Sequence, residues 1–241
     1  TTLVVAADLR TGLPNGADER DGGDAAAAVL VGEGTDEAPV LAELVAAASA
    51  TEEFLDRWRV PGEPRSKQWE ERFGELHYVA LGEEAWAAAL KAAELDADQV
   101  ATVVVTGPHG RAVGRVRKSL AADVGAVAAA LPATVGQSGA AHPLLLLTAA
   151  LEAAEPGQVI ALVSLADGAD VLLFRATDAV TRLRGGRTVA AQVAAGDDSL
   201  SYARFLSWKG MLTVEPPRRP EPARASASAA ARNAEWKFGL V

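Results

Sequence analysis

The chain contains no cysteine. That excludes disulfides, cysteine-ligated zinc, iron–sulfur centres and any thiol nucleophile within these 241 residues. Aromatic residues make up only 5%, so a core has to be built from the abundant alanine, valine and leucine, with helices in close contact. No run of about 18 apolar residues occurs, which leaves no candidate for a membrane-spanning helix. The first residues lack the charged-then-apolar pattern of a signal segment, and the expected location is cytoplasmic. Positive charge is in deficit, and a net charge of −9 argues against bulk affinity for nucleic acid. No P-loop, no Gly-x-Ser-x-Gly elbow and no metal-spaced His/Asp cluster is present. No metal and no resident cofactor is therefore expected.

What is present is ample apolar material: 49% of the residues are hydrophobic, enough for one large core or two smaller ones. Residues 3–9 read as a strand that begins almost at the first residue. A polar loop with turn signals at Pro14, Asn15-Gly16 and Gly22-Gly23 leads to a second strand in "DAAAAVLVGEG". Residues 38–75 read as irregular, broken by proline and glycine, with Trp58, Trp69 and Phe73 as anchors of an insertion or lid. Periodic apolar residues predict a helix over 82–96. The β-branched run "QVATVVVTG" predicts a buried strand, followed by a basic helix from about 110 to 121. An apolar helix over 138–157, ended by Pro-Gly, should lie centrally. Two strands joined by a tight turn at Asp167-Gly168 follow. The order of elements predicts an α/β fold.

One plan occurs twice. The early "LVVAADLR … GGDAAAAVLVGE" and the late "VIALVSLADGADVLLFRA" are both an apolar strand, an Asp/Gly loop and a second apolar strand. Two related halves are expected, the first represented by its last two strands only. The chain is expected to be a fragment, or to have an upstream part on another chain. The boundaries read as 1–36 for the last strands of the first half, 37–76 for the insertion, 77–214 for the second half and its tail, and 215–241 for a Pro/Arg/Ala/Ser-rich linker that resumes apolar character in "EWKFGLV".

Candidate chemistry concentrates after the buried strand. His109 stands past its C-terminal end, flanked by glycines, where α/β folds place their sites. It reads either as a general base or as a loop histidine with its hydrogen bonds satisfied. Arg111, Arg115 and Lys118 share one helix face, as a phosphate-binding surface or as a solvated charge face. Gln137 and Ser138 open the apolar helix, to orient a carbonyl or to cap the helix. The backbone at Asp167 and Gly168 could donate to an oxyanion or merely turn the chain. His142, next to Pro143, reads as first-turn packing, and His77 as structural.

The ordered set "LVVAADLR", "ADERDGGDAAAAVLVG", "DRWRVPG", "PHGRAVGRVRK", "VGQSGAAHPLLLL" and "SLADGADVLLFR" resembles the thiolase superfamily. Within it, the resemblance is to the 3-hydroxy-3-methylglutaryl-CoA synthase branch, over roughly residues 1 to 175, the later part of that fold. The tail "RNAEWKFGLV" resembles the leading helix of a zinc-ribbon/OB-fold acyl-CoA-binding domain, whose zinc ligands would lie beyond it. The resemblance implies a duplicated βαβαβαββ unit stacked as a five-layer sandwich, with the first half mostly absent. It implies acyl-CoA chemistry with coenzyme A thioesters as substrates. An acyl-carrying cysteine would lie upstream of Thr1, and the chain alone would be inactive. His109 would be catalytic, with Gln137 where the synthases carry asparagine. Arg111, Arg115 and Lys118 would hold the CoA phosphates, with Ser138, Asp167 and Gly168 in support. A homodimer and a thiolase or OB-fold/zinc-ribbon partner are expected, with no nucleic-acid or membrane partner. Three readings stay open: a condensing acyltransferase or a part of one, a cysteine-free thiolase-like aldolase working beside an OB-fold partner, and a non-catalytic acyl-CoA-binding scaffold.

Overall fold

The computed structural model describes residues 1–120 and 126–213, together with Glu215 and Arg218. The linker and the apolar C-terminal segment expected after residue 214 lie outside these described residues, apart from those two. The chain divides into a unit from Thr1 to Asp198 and a second from Ser199 onward.

The first unit begins with β1 (Thr2–Asp8), the short helix α1 (Ala17–Arg20) and β2 (Ala25–Val31). β1 and β2 pair antiparallel from Thr2↔Val31 to Asp8↔Ala25. Their apolar side chains are bare: Leu3, Val5, Leu30 and Val31 are all exposed. Next come β3 (Ala42–Ala50), the two-residue strands β4 (Arg57–Trp58) and β5 (Lys67–Gln68), and the long helix α2 (Glu71–Ala93). β6 (Val100–Thr106) leads into α3 (Gly110–Ser119). After α4 (Ala126–Thr134) and α5 (His142–Ala153), β7 (Val159–Leu165) and β8 (Ala169–Ala176) complete the main sheet, and α6 (Val189–Ala194) follows. The second unit has one described helix, α7 (Tyr202–Trp208), whose first turn is capped by the Ser201 hydroxyl. No helix among the described residues is long and apolar enough to cross a membrane.

The main sheet has the order β3-β8-β7-β6. β6 and β7 are parallel, and β7–β8 and β8–β3 are antiparallel. The pleat sorts its side chains to two cores. Val103, Val105, Val163 and Leu165 pack with α2 and α3 on one face. Val104, Ile160 and Leu162 pack with Leu146, Leu147 and Ala150 of α5 on the other. α5 also touches β2 and is the central helix expected from its apolar character. The twin strand pairs foreseen in the sequence are both present, β1–β2 and β7–β8, with seven-position antiparallel registers.

Two elements depart from the sequence reading. Residues 42–50, read as part of an irregular insertion, form a nine-residue edge strand on β8. The segment "AELVAAASA" has one β-branched residue and no clean alternation, so its strand character comes from the open edge of β8. The helix expected over 82–96 begins instead at Glu71. Gly74 in its first turn looks like a breaker, but it is the residue that fits. A Cβ there would lie 2.4 Å from Asp56 Oδ1 and 2.9 Å from His109 Cδ2.

Candidate functional site

A cleft of about 650 Å³ opens at the C-terminal end of β6. Its floor is made by Val104, Thr106, Gly107, Pro108, His142 and Leu146. Its rim carries Arg10, Arg20, Arg57 and Arg117 against Asp18 and Asp21. The early and late segments meet here. Gly22 bridges Gln137, with Gln137 N donating to Asp21 O at 2.8 Å and Gly23 N donating to Gln137 O at 3.3 Å. Arg57 pairs with Asp18, and Arg20 with Asp21 at 2.8 Å. Arg117 has no ion pair or hydrogen bond among the described residues, so it is the rim's uncompensated cation.

His109 does not enter this cleft. The ring is 1% exposed, and both nitrogens are engaged. Nδ1 accepts the Ala112 backbone N–H at 3.1 Å, capping α3. Nε2 donates to the Glu71 carbonyl at 2.8 Å, in the first turn of α2. The backbone N–H can only donate, so the ring is held with its proton on Nε2. The general-base role expected of His109 finds no support in this geometry. A closed ring with both nitrogens spent has no lone pair to offer a substrate, and it serves to lock α2 against α3. The same helix contact absorbs the basic face. Arg111 reaches Glu71 at 2.9 Å and Glu75 at 3.4 Å, and Arg115 reaches Glu75 at 2.6 Å. The hydrogen bond and charge of Glu71, with Glu75 behind them, raise the Arg111 guanidinium above its ordinary value. Lys118 is exposed. None of the three lines the cleft; Arg111 and Arg115 are drawn to the acids of α2 instead. The Glu75→Gln change should cost about 1 kcal/mol, and salt should erase part of the difference. Urea titrations at low and high ionic strength read this. An unchanged midpoint would show the pairs to be idle.

Gln137 lines the cleft, but its amide is largely committed. Nε2 donates to Gly107 O at 3.1 Å, and Oε1 accepts Gly139 N at 2.6 Å. It braces the strand end against the turn before α5. Ser138 is fully buried, makes no side-chain cap, and places Oγ 3.0 Å from His142 Nδ1. Its expected substrate contact finds no support here, since Ser138 does not line the cleft and its hydroxyl lies against the His142 ring. Asp167 and Gly168 form the β7–β8 turn, packed against the end of β3, where a Cβ on Gly168 would sit 2.8 Å from Ala50 O. They too lie outside the cleft lining. His77 is structural: it stacks on Phe54 at 4.9 Å and bonds Glu52 at 2.7 Å.

The sequence reading passed over three cleft groups. Arg117 lies to one side of the helix face that carries Arg111, Arg115 and Lys118. Thr106 reads as the end of a strand. His142, which its sequence context marks as packing, lines the cleft, and burial lowers its pKa to about 4. The signal available for His142 was its spacing: four residues after Ser138 brings hydroxyl and imidazole together across one turn. Among the described residues, no three His, Cys, Asp or Glu side chains are grouped to hold a metal.

No protein-family profile matches the chain, and no curated protein does. Solved structures do. MvaS in complex with 3-hydroxy-3-methylglutaryl coenzyme A superposes with a TM-score of 0.67 at 19% identity, over 92% of this chain and 62% of that one. The HMG synthase of the curacin biosynthetic pathway, in complex with an acetyl donor acyl-carrier protein, gives 0.66 at 17%, over 86% and 55%. The 3-oxoacyl-(acyl carrier protein) synthase III, FabH, of Pseudomonas aeruginosa PAO1 gives 0.56 at 18%, over 73% and 57%. The fold is thus the thiolase-like one that these structures share, a mixed α/β architecture. The chain spans between 50% and 62% of the length of the HMG-CoA synthases it superposes on.

Proposed function

We propose that this chain is the later half of a thiolase-like acyl-CoA condensing enzyme, an acyltransferase of the hydroxymethylglutaryl-CoA synthase kind, and that it binds an acyl-CoA thioester in the cleft after β6. The observation that carries the reading is the cleft itself. It lies at the strand end of a condensing-enzyme fold, with a cationic rim, an unpaired Arg117 and an uncharged polar floor. A nucleotide phosphate suits the rim, and an acyl head suits the floor. The covalent acyl carrier of such condensations is not among these 241 residues, which hold no thiol. Condensation therefore requires a cysteine supplied from elsewhere, and the bare apolar strands β1 and β2 offer the surface on which a complementary body packs. The expected homodimer and OB-fold or thiolase partner belong to this same proposal, as does a cytoplasmic location.

A second reading is favoured by one observation. With His109 closed and no cysteine, the chain is suited to holding an acyl-CoA rather than transforming it, as a scaffold subunit would. Thioester cleavage and condensation with acetyl-CoA and acetoacetyl-CoA separate the two. The condensing reading expects turnover once a cysteine-bearing first half is added, and the scaffold reading expects binding without turnover. Under both, Arg117→Ala should weaken coenzyme A binding about tenfold, as loss of a charged hydrogen bond does, while Arg111→Ala should leave it unchanged. Calorimetric titration with coenzyme A decides this. The reverse order of effects would return the phosphates to the α2-facing side of α3.

A further inference from the structure

Two polar groups on the floor of the cleft lack partners. Thr106 is 3% exposed, and its Oγ1 is buried without a hydrogen bond among the described residues. His142 is also 3% exposed and lines the same cleft. Its Nδ1 accepts the backbone N–H of Ser138 at 3.3 Å and lies 3.0 Å from the Ser138 hydroxyl. An amide N–H has only a proton to give, so Nδ1 carries the lone pair and the ring proton resides on Nε2. That Nε2–H has no partner among the described residues. Proteins rarely leave buried polar groups unsatisfied; Thr106 Oγ1 on β6 is one, and His142 on α5 lines the same cleft with its Nε2–H unspent. Each can give a proton to an oxygen arriving from solvent.

The charge state narrows the ligand. A hydroxyl is neutral, and burial keeps the imidazole neutral at physiological pH. Phosphates are matched by Arg117 at the rim. A pair of neutral donors in a desolvated floor matches an oxygen that is polar but uncharged. We propose that Thr106 Oγ1–H and His142 Nε2–H are a donor pair for the carbonyl oxygen of the bound thioester. Ser138 serves as the positioning residue that fixes the tautomer of His142. The inference rests on the acyl-CoA reading above and goes beyond it by naming the atoms that recognise the acyl head. Such donors draw charge onto the carbonyl oxygen, which makes the carbonyl carbon more electrophilic and the adjacent C–H more acidic.

The test compares acetyl-CoA with S-ethyl-CoA, a thioether that lacks only the carbonyl oxygen, in calorimetric titrations of the full chain. The wild type should prefer acetyl-CoA by about tenfold or more, the effect of two neutral hydrogen bonds. Thr106→Val, close in shape, should lose several-fold of that preference through acetyl-CoA alone. The infrared carbonyl stretch of bound ¹³C-acetyl-CoA should lie below its free value and move part of the way back in Thr106→Val. Equal affinity of the wild type for both ligands would overturn the donor pair while leaving the acyl-CoA reading in place. Binding of neither would overturn both. The wild-type comparison needs no variant to fold, so a misfolded His142→Phe would not decide the matter.

Discussion

Gly23→Ala is expected to lower the unfolding free energy by about 3 kcal/mol, the top of the usual range for overpacking, and to abolish ligand binding in the cleft. The reason is a crossing of two backbones. A Cβ on Gly23 would lie 1.6 Å from the carbonyl oxygen of Val135, and neither atom belongs to a side chain that could swing away. Relief requires separating the Asp21–Gly23 segment from Val135–Gln137. That breaks the hydrogen bonds of Gln137 N to Asp21 O and of Gly23 N to Gln137 O. Gln137 braces the cleft wall, and Ser138 follows it, so the disturbance runs directly to His142. Gly185→Ala serves as the comparison, since nothing lies within 4 Å of its added Cβ. It should leave the melting midpoint nearly unchanged. Chemical denaturation of the two variants beside the wild type reads the difference. Equal midpoints for Gly23→Ala and the wild type would mean that the crossing is not formed in solution.

Acidification should destabilise the protein through His142. Its folded pKa is about 4, depressed from 6.5 by burial. Between those values the unfolded chain takes up a proton that the folded chain refuses. The stabilisation from keeping this ring neutral is fully present above pH 6.5 and drains away as pH falls toward 4. Below that both states are protonated and nothing more is lost. The loss amounts to about 2–3 kcal/mol. Carboxylates titrate in part of the same range, so the measurement is a difference: urea unfolding of wild type and His142→Gln at pH 7 and at pH 4.5. The wild type should lose more stability than the variant. Parallel losses would show that the ring is open to water and free to charge.

Much of the fold was legible in the sequence. β6, β7 and β8 announce themselves as β-branched apolar runs, and α5 as a helix apolar on most faces. The internal repetition disclosed β1–β2 as a copy of β7–β8, since alternation and turn residues are local properties. β3 was not legible: nine residues rich in alanine have no strong preference, and only the free edge of β8 makes them a strand. The start of α2 was hidden for a related reason, since Gly74 is penalised locally and rewarded only by Asp56 and His109 pressing against it.

The cleft was legible in place but not in detail. Cationic residues and a histidine after a buried strand drew attention to the end of β6, where the cleft opens. The sequence by itself determined the chemistry excluded from this chain, by its lack of cysteine, and the repeated strand plan that identifies its architecture. Which polar groups face the ligand was decided only in three dimensions. As residue types Arg111, Arg115 and Arg117 are alike, but the carboxylates of Glu71 and Glu75 on a second helix take the two that share a face and leave the third. His109 and His142 look alike in the sequence as well. One is closed by bonds to Glu71 and Ala112, and the other is tied through one nitrogen and faces the cleft with the other, because a side chain's free valence depends on every neighbour that long-range packing brings to it.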